Sequence, residues 1–249
     1  KGLEQFDKLC PGFRAVHEME AELPQECVTI LAMDMMSEQF HCMFNIPGYV
    51  DWLDDQSMVR SLRWHRQVLQ HLQSGGIKGE RWLLKSPCHL HVIDQLLEVY
   101  PDANIIHTHR DPIAVCTSIS SFITMLRGTA SDEIDLKYIG AQQIAWWAKL
   151  LGRSLAQRRQ LALEGRGQQF FDLQMRDTVA DPLGTVERIY DHFGYELKPA
   201  VKADMERFMK NNPRDKHGSH SYKPEDFGID RSRDGARFAE YCEYFGIEC

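Results

Sequence analysis

Apolar positions recur along this chain at helical spacing in most stretches and as short dense runs in three. Val28, Leu31, Met35 and Phe40 share one side of a helix expected from Pro24 to Phe40, with proline at its start. Pro47-Gly48 breaks the chain, and a second helix is expected from about Met58 to Gln73, where Ser74-Gly75-Gly76 stops it. Arg81-Trp82-Leu83-Leu84-Lys85 is an apolar run with basic ends, and Ser86-Pro87 forces the backbone out of it, so it reads as a buried parallel strand. Leu90, Ile93, Leu96, Leu97 and Tyr100 mark a helix from His89 to Tyr100. Pro101-Asp102 then turns the chain into a strand over Ala103–His109. Strand, helix and strand within about 30 residues is the size of a βαβ unit.

Asp111-Pro112 supplies an N-cap and a first-turn proline for a helix running to about Arg127, where Gly128 ends it. A long helix containing Trp146 and Trp147 is expected from Ile134 to Leu163, a strand from Gln168 to Leu173, and helices over Pro182–Phe193 and Pro199–Lys210. No repeat or low-complexity tract interrupts the pattern. Strands alternating with helices predict a helix-rich α/β fold with a central parallel sheet, in one domain over residues 1–249.

Composition narrows the function classes. With 29 Lys+Arg against 36 Asp+Glu, the formal net charge is −7, which lacks the basic excess of a nucleic-acid protein. It leaves room for a local basic pocket. The 43% of hydrophobic residues can fill a core at this length without disulfides or metals. The seven cysteines are odd in number, scattered and without a C-x-x-C pair, so they read as reduced thiols in a cytoplasmic setting, Cys249 being simply terminal. No apolar stretch approaches the roughly 18 residues of a membrane span.

In parallel α/β sheets, ligands bind beyond the carboxyl ends of the strands, where helix N-termini also point. Lys85 and Arg110 end two expected strands and together offer an anion site. Asp111, Ala114 or Val115, and Ser118 share a helix face, so Ser118 faces back toward Arg110. Two readings stand side by side: a phosphate clamp of guanidinium, hydroxyl and helix amides, or a strand-end Arg110 paired with Asp111 beside an ordinary mid-helix serine. His107 and His109 alternate on their strand with no third ligand at a recognisable interval, so they read as hydrogen-bonding groups and no metal is expected.

The run Ala103-Asn104-Ile105-Ile106-His107-Thr108-His109-Arg110-Asp111-Pro112 through Ser118 resembles the 3′-phosphate-binding strand and helix of sulfotransferases that use 3′-phosphoadenylyl sulfate (PAPS). In that family an Arg and a Ser eight residues later grip the 3′-phosphate, a spacing that Arg110 and Ser118 share. Leu84-Lys85-Ser86-Pro87-Cys88-His89 is similar to the lysine strand of the bacterial and carbohydrate-type branches, and Phe122 matches an aromatic of the phosphate helix. Asp181-Pro182 with Ile189-Tyr190 and Phe193-Gly194 resembles a later segment of the family. Lys216-His217-Gly218 resembles the loop that closes over the 3′-phosphate.

The resemblance implies a three-layer α/β/α, P-loop-like fold and in-line transfer of a sulfuryl group from PAPS to a hydroxyl or amine, leaving the bisphosphate PAP and needing no metal. The acceptor classes it leaves open are small molecules, lipids and carbohydrates. Lys85 is then the charge on the leaving oxygen. The histidine that other branches place two residues after the lysine is Pro87 here, so His89 and His17, the latter in Pro11-Gly12-Phe13-Arg14-Ala15-Val16-His17, are the candidate bases, a carboxylate being the other option. Met175 stands where the family often has a tyrosine stacking on adenine, and a thioether also packs against a ring.

The family's Gly-rich loop for the 5′-phosphosulfate has no counterpart among these residues, and the chain opens at Lys1. The expectation is therefore a domain lacking its N-terminal strand and loop. Two other classes compete: a noncatalytic nucleotide-binding or interaction module derived from the fold, and a P-loop kinase relative, for which Walker-type glycines and a magnesium-holding Asp are not evident. Trp146, Trp147, Phe122 and the Met33–Met43 stretch fit either an apolar acceptor pocket or ordinary core.

Overall fold

The computed structural model describes residues 2–17, 20, 22–77, 79–213 and 222–248. Short helices α1 (Gly2–Leu9) and α2 (Phe13–Val16) precede a helical layer of α3 (Cys27–Ala32), α4 (Gln39–Met43), α5 (Pro47–Asp54) and α6 (Val59–Ser74). A 3₁₀ turn over Pro87–His91 leads to α7 (Ile93–Val99), β1 (Ile105–His109), α8 (Pro112–Arg127), α9 (Leu136–Leu163) and β2 (Phe170–Gln174). Then come α10 (Met175–Ala180), α11 (Pro182–His192), α12 (Pro199–Asn211), α13 (Arg231–Gly235) and α14 (Ala239–Phe245).

Among the described residues the sheet has two strands, β1 and β2, parallel, with Ile105 opposite Phe170 and His109 opposite Gln174. A parallel pair needs a long crossover, and α8 with α9 supplies it. Asp111 starts α8 as the sequence predicts, its Oδ1 accepting from the Ile113 amide at 3.0 Å with Pro112 in the first turn. Ile113 and Cys116 of α8 bury against Ile144, Leu151 and Leu155 of α9 and against Phe227, Phe238 and Tyr241 from the C-terminal segment. Side chains as fully buried as Ile113 contribute about 1.5–3 kcal/mol each. Farther along, Leu161 of α9 closes a second core with Ile93, Leu97 and Phe170.

Glycine is required at one helix contact. A Cβ at Gly140 of α9 would lie 2.1 Å from the Phe227 carbonyl oxygen, so this close approach of backbone to helix admits no side chain.

Three expectations about secondary structure need correction. The helix expected from Pro24 to Phe40 is divided into α3 and α4 by a turn at Met33–Met35, where Met35 takes φ 57°. Tyr49 holds that turn, donating to the Met35 carbonyl at 2.9 Å and accepting from the Ser37 amide at 3.1 Å. The segment over residues 81–85 is not a strand: it lies outside the sheet, and Leu83 is 91% exposed. No described strand flanks it, so the run has no neighbour to pair with, Leu83 is left uncovered while Leu84 is half-buried, and the Lys85 carbonyl instead accepts from the Cys27 amide of α3 at 3.0 Å. The helix expected from His89 to Tyr100 is split at Val92 because Gln157 of α9 takes the backbone there, Oε1 accepting from the Ile93 amide at 3.1 Å and Nε2 donating to the His91 carbonyl at 3.2 Å.

Cys10, Cys27, Cys42, Cys88 and Cys116 are free thiols, whereas Cys242 is disulfide-bonded, against the reading of all seven as reduced. Among the described residues no helix is long and apolar enough to cross a membrane.

Candidate active site

Tertiary folding brings together residues that the sequence separates widely. Glu26, at the N-terminus of α3, receives Lys85 Nζ from the segment before the 3₁₀ turn and lies 3.2 Å from His17 Nε2. The His17 ring packs on Phe122 of α8, with centroids 6.3 Å apart, and Phe13 stacks on the same ring at 5.6 Å. Phe122 is one helical turn beyond Ser118, so this cluster faces the helix that carries Ser118. Burial pushes the Glu26 carboxyl up, yet the hydrogen bonds and charges of His17 and Lys85 outweigh it and the net shift is downward. Glu26 therefore stays ionised as a shared acceptor. With Nε2 committed to Glu26, Nδ1 of His17 is buried without a hydrogen-bond partner.

The other candidates are placed as follows. Lys85 remains accessible, its side chain 71% exposed. His89 turns inward, its ring centroid 6.2 Å from that of His65, and burial, then the charges of His65 and His91, hold it down to about 4. Arg110 follows β1 directly, is exposed, and makes no hydrogen bond or ion pair with another described residue; Ser118 is half-buried and likewise has no described partner. Asp111 is engaged elsewhere: its Oδ2 accepts from Arg231 at 2.5 Å. Met175 is 44% exposed at the start of α10, where β2 ends. Lys216, His217 and Gly218 lie outside the described residues.

His107 and His109 belong to a buried polar network. Asp172 of β2 accepts from His109 at 3.0 Å and takes a bidentate pair of bonds from Arg158 of α9 at 2.8 and 2.9 Å, while Tyr241 lies 2.8 Å from His109 Nδ1 and 3.2 Å from His107 Nε2. Arg158 also reaches His107 Nδ1 at 3.1 Å. Burial, and then the neighbouring cationic groups, lower His107 to about 3. Ligand atoms of His107, His109 and Asp172 lie within 4.8 Å of one another, a spacing that suits a cation. The Arg158 guanidinium already fills that role, so these residues fit a metal poorly.

Trp146 and Trp147 are half-buried; Trp146 packs edge-on to His41 and His91, and Trp147 lies against the α8–α9 core. A cavity of about 300 Å³ lies beyond the 3₁₀ turn, lined by Asp54, His91, Asp94, Arg153 and Gln157. Its polar walls are tied to one another, Asp54 to Arg153 at 2.7 Å and Gln157 to Asp94 at 2.8 Å, and neither Lys85 nor Arg110 opens into it.

Glu26 is the residue that sequence reading missed. Its partners are 9 and 59 residues away, and no local pattern marks it.

Arg110, directly after β1, and the carboxylate–histidine–lysine cluster of Glu26, His17 and Lys85 beside α8 are thus carried on one α/β body. The profile described as "Sulfotransferase family" matches residues 1–199, and the chain belongs to that family. It is 31% identical over 157 residues to omega-hydroxy-beta-dihydromenaquinone-9 sulfotransferase Stf3 of Mycobacterium bovis, over 59% of this chain and 38% of that protein, and the Mycobacterium tuberculosis counterpart matches equally. Among solved structures, sulfotransferase STF9 from Mycobacterium avium superposes with a TM-score of 0.81 at 24% identity, covering 99% of this chain and 64% of that one. Sulfotransferase STF1 from M. tuberculosis H37Rv gives 0.76 at 30% identity, covering 95% and 62%. The fold is thus the α/β sulfotransferase fold. This chain spans 38% of the length of the curated relatives and under two thirds of these solved chains.

Proposed function

We propose that this chain carries the 3′-phosphate grip and the catalytic centre of a PAPS-dependent sulfotransferase acting on an acceptor hydroxyl. The observation that carries the reading is the meeting of His17, Glu26 and Lys85 beside Phe122, next to the turn that bears Ser118.

In-line transfer asks the protein to align donor and acceptor and to stabilise charge on the leaving oxygen. Lys85, released from Glu26, supplies a compact positive charge for that oxygen. His17 takes the acceptor proton at Nδ1 while Glu26 holds its Nε2–H, the arrangement by which a carboxylate fixes the tautomer of a basic histidine. The acceptor oxygen bonds to sulfur as the bond from sulfur to the bridging oxygen breaks, and the electron pair stays with the departing phosphate. His89, half-buried, turned inward and held neutral, is the weaker candidate for the base. Arg110 and Ser118 would hold the 3′-phosphate, Lys216, His217 and Gly218 would close over it, and Met175 would pack against the adenine. The free Arg110 guanidinium beside the N-terminus of α8 supports that fit.

We place the donor's sulfuryl end against a strand and Gly-rich loop that are not among these residues. The edge of β1 away from β2, which no described strand pairs, and the exposed apolar run at Leu83 support this reading. For the acceptor we favour a hydroxylated lipid, as in the name of the Stf3 relative.

The test is transfer from labelled PAPS by the full-length protein to a panel of lipid, phenol and sugar alcohols, with Lys85→Ala and Arg110→Ala alongside. Lys85→Ala is expected to lose about 10²–10³ in rate. Wild-type rates in Lys85→Ala, or a complete reading frame without any Gly-rich loop, would overturn the proposal.

A further inference from the structure

We infer that Arg231 is a positioning residue of the anion site: by holding the Asp111 carboxylate, it keeps the neighbouring Arg110 guanidinium free for phosphate. The inference rests on the reading of Arg110 given above. Asp111 divides its two oxygens. Oδ1 caps α8 through the Ile113 amide at 3.0 Å, and Oδ2 accepts from Arg231 at 2.5 Å. The pair is partly sheltered, Asp111 being 21% and Arg231 54% exposed at the side chain.

Arg231 is well placed to act as this anchor. It opens α13, whose start is fixed by Asp230 accepting from the Arg233 amide at 2.8 Å. Arg233, the next cation on that helix, is spent on Asp234 at 2.7 Å and on the Gly228 carbonyl at 2.8 Å. If Arg231 let go, Oδ2 of Asp111 would lose its partner, and the adjacent Arg110, which has no described partner, is the cation in sequence beside it. A carboxylate and a guanidinium pair strongly, so phosphate would then have to displace Asp111 before it could bind. Arg231 thus decides between the two arrangements of Arg110 that the sequence alone allows.

The test is a double-mutant cycle on adenosine 3′,5′-bisphosphate binding by calorimetry, in the full-length protein. Arg231→Gln is expected to bind about three- to fivefold more weakly, the range of a partly exposed ion pair. Arg231→Lys should stay near wild type. Asp111→Asn keeps the cap, since its carbonyl oxygen still accepts from the Ile113 amide. In the double variant no carboxylate remains to capture Arg110, and binding should return to within about twofold of wild type. Arg231→Gln binding as tightly as wild type, or a double variant as weak as Arg231→Gln, overturns the inference. Arg110→Ala separates the two levels: loss of binding there with none in Arg231→Gln sinks this inference alone, while wild-type binding by Arg110→Ala sinks the phosphate reading as well.

Discussion

His17 Nε2 lies 3.2 Å from Glu26 Oε1, which leaves Nδ1 as the ring nitrogen with a free lone pair. Replacing His17 by Ala should lower kcat by about 10²-fold, the usual worth of a positioned base, with bisphosphate affinity unchanged. Glu26→Ala removes the orienting group and should cost less, about tenfold. A kcat in His17→Ala equal to that of the unaltered protein would move the base elsewhere.

Acid should destabilise this fold steeply. Burial holds His41, His65, His89 and His91 down to about 4 and His107 to about 3. These rings are neutral in the folded chain, while the unfolded chain protonates them below about 6.5, so unfolding takes up protons and stability falls as pH drops from about 6.5 toward 4. Glu38 works the other way. Burial raises it to about 7, so its proton stabilises the fold below that pH. One carboxyl against several rings leaves the acid loss dominant. Urea midpoints at pH 7.5, 6.0 and 5.0 should fall in that order, and His65→Gln should flatten the trend by about 1.4 kcal/mol per pH unit.

The fold is legible wherever short-range chemistry decides it. Asp111-Pro112 and Gly128 mark both ends of α8 because cap and stop signals act within a turn, and β1 and β2 fall within a residue or two of their expected positions. Legibility fails where a distant side chain overrides local preference. Tyr49 bends the chain at Met35, Gln157 splits the helix at Val92, and the run at Leu83 cannot be a strand without a neighbour. The same logic governs the proposed site: the pairing of Arg110 with Ser118 is proposed from spacing alone, whereas Glu26 gains meaning only from partners 9 and 59 residues away.

Arg158 joins α9 to the sheet through its fork on Asp172 and its place over the Phe170 ring, 3.9 Å from the centroid. Arg158→Met leaves Asp172 and His109 without that charge and should cost about 3 kcal/mol, the lower end for a broken buried pair because Asp172 is 40% exposed. Chemical denaturation measures it directly.

At Gly140 even a methyl group meets the Phe227 carbonyl oxygen, which is backbone and cannot rotate away. Gly140→Ala should destabilise by about 1–3 kcal/mol despite alanine's better helix propensity. A thermal shift upward would show that the two segments separate at little cost.

The edge of β1 away from β2 has no partner among the described residues, and Ile106 on that strand is 38% exposed. A strand edge flanked by apolar side chains is a template that any extended chain can join, another copy included. Folding inside a cell is therefore a race between covering that edge from within and pairing edge to edge between nascent molecules, and crowding by other copies favours the wrong winner.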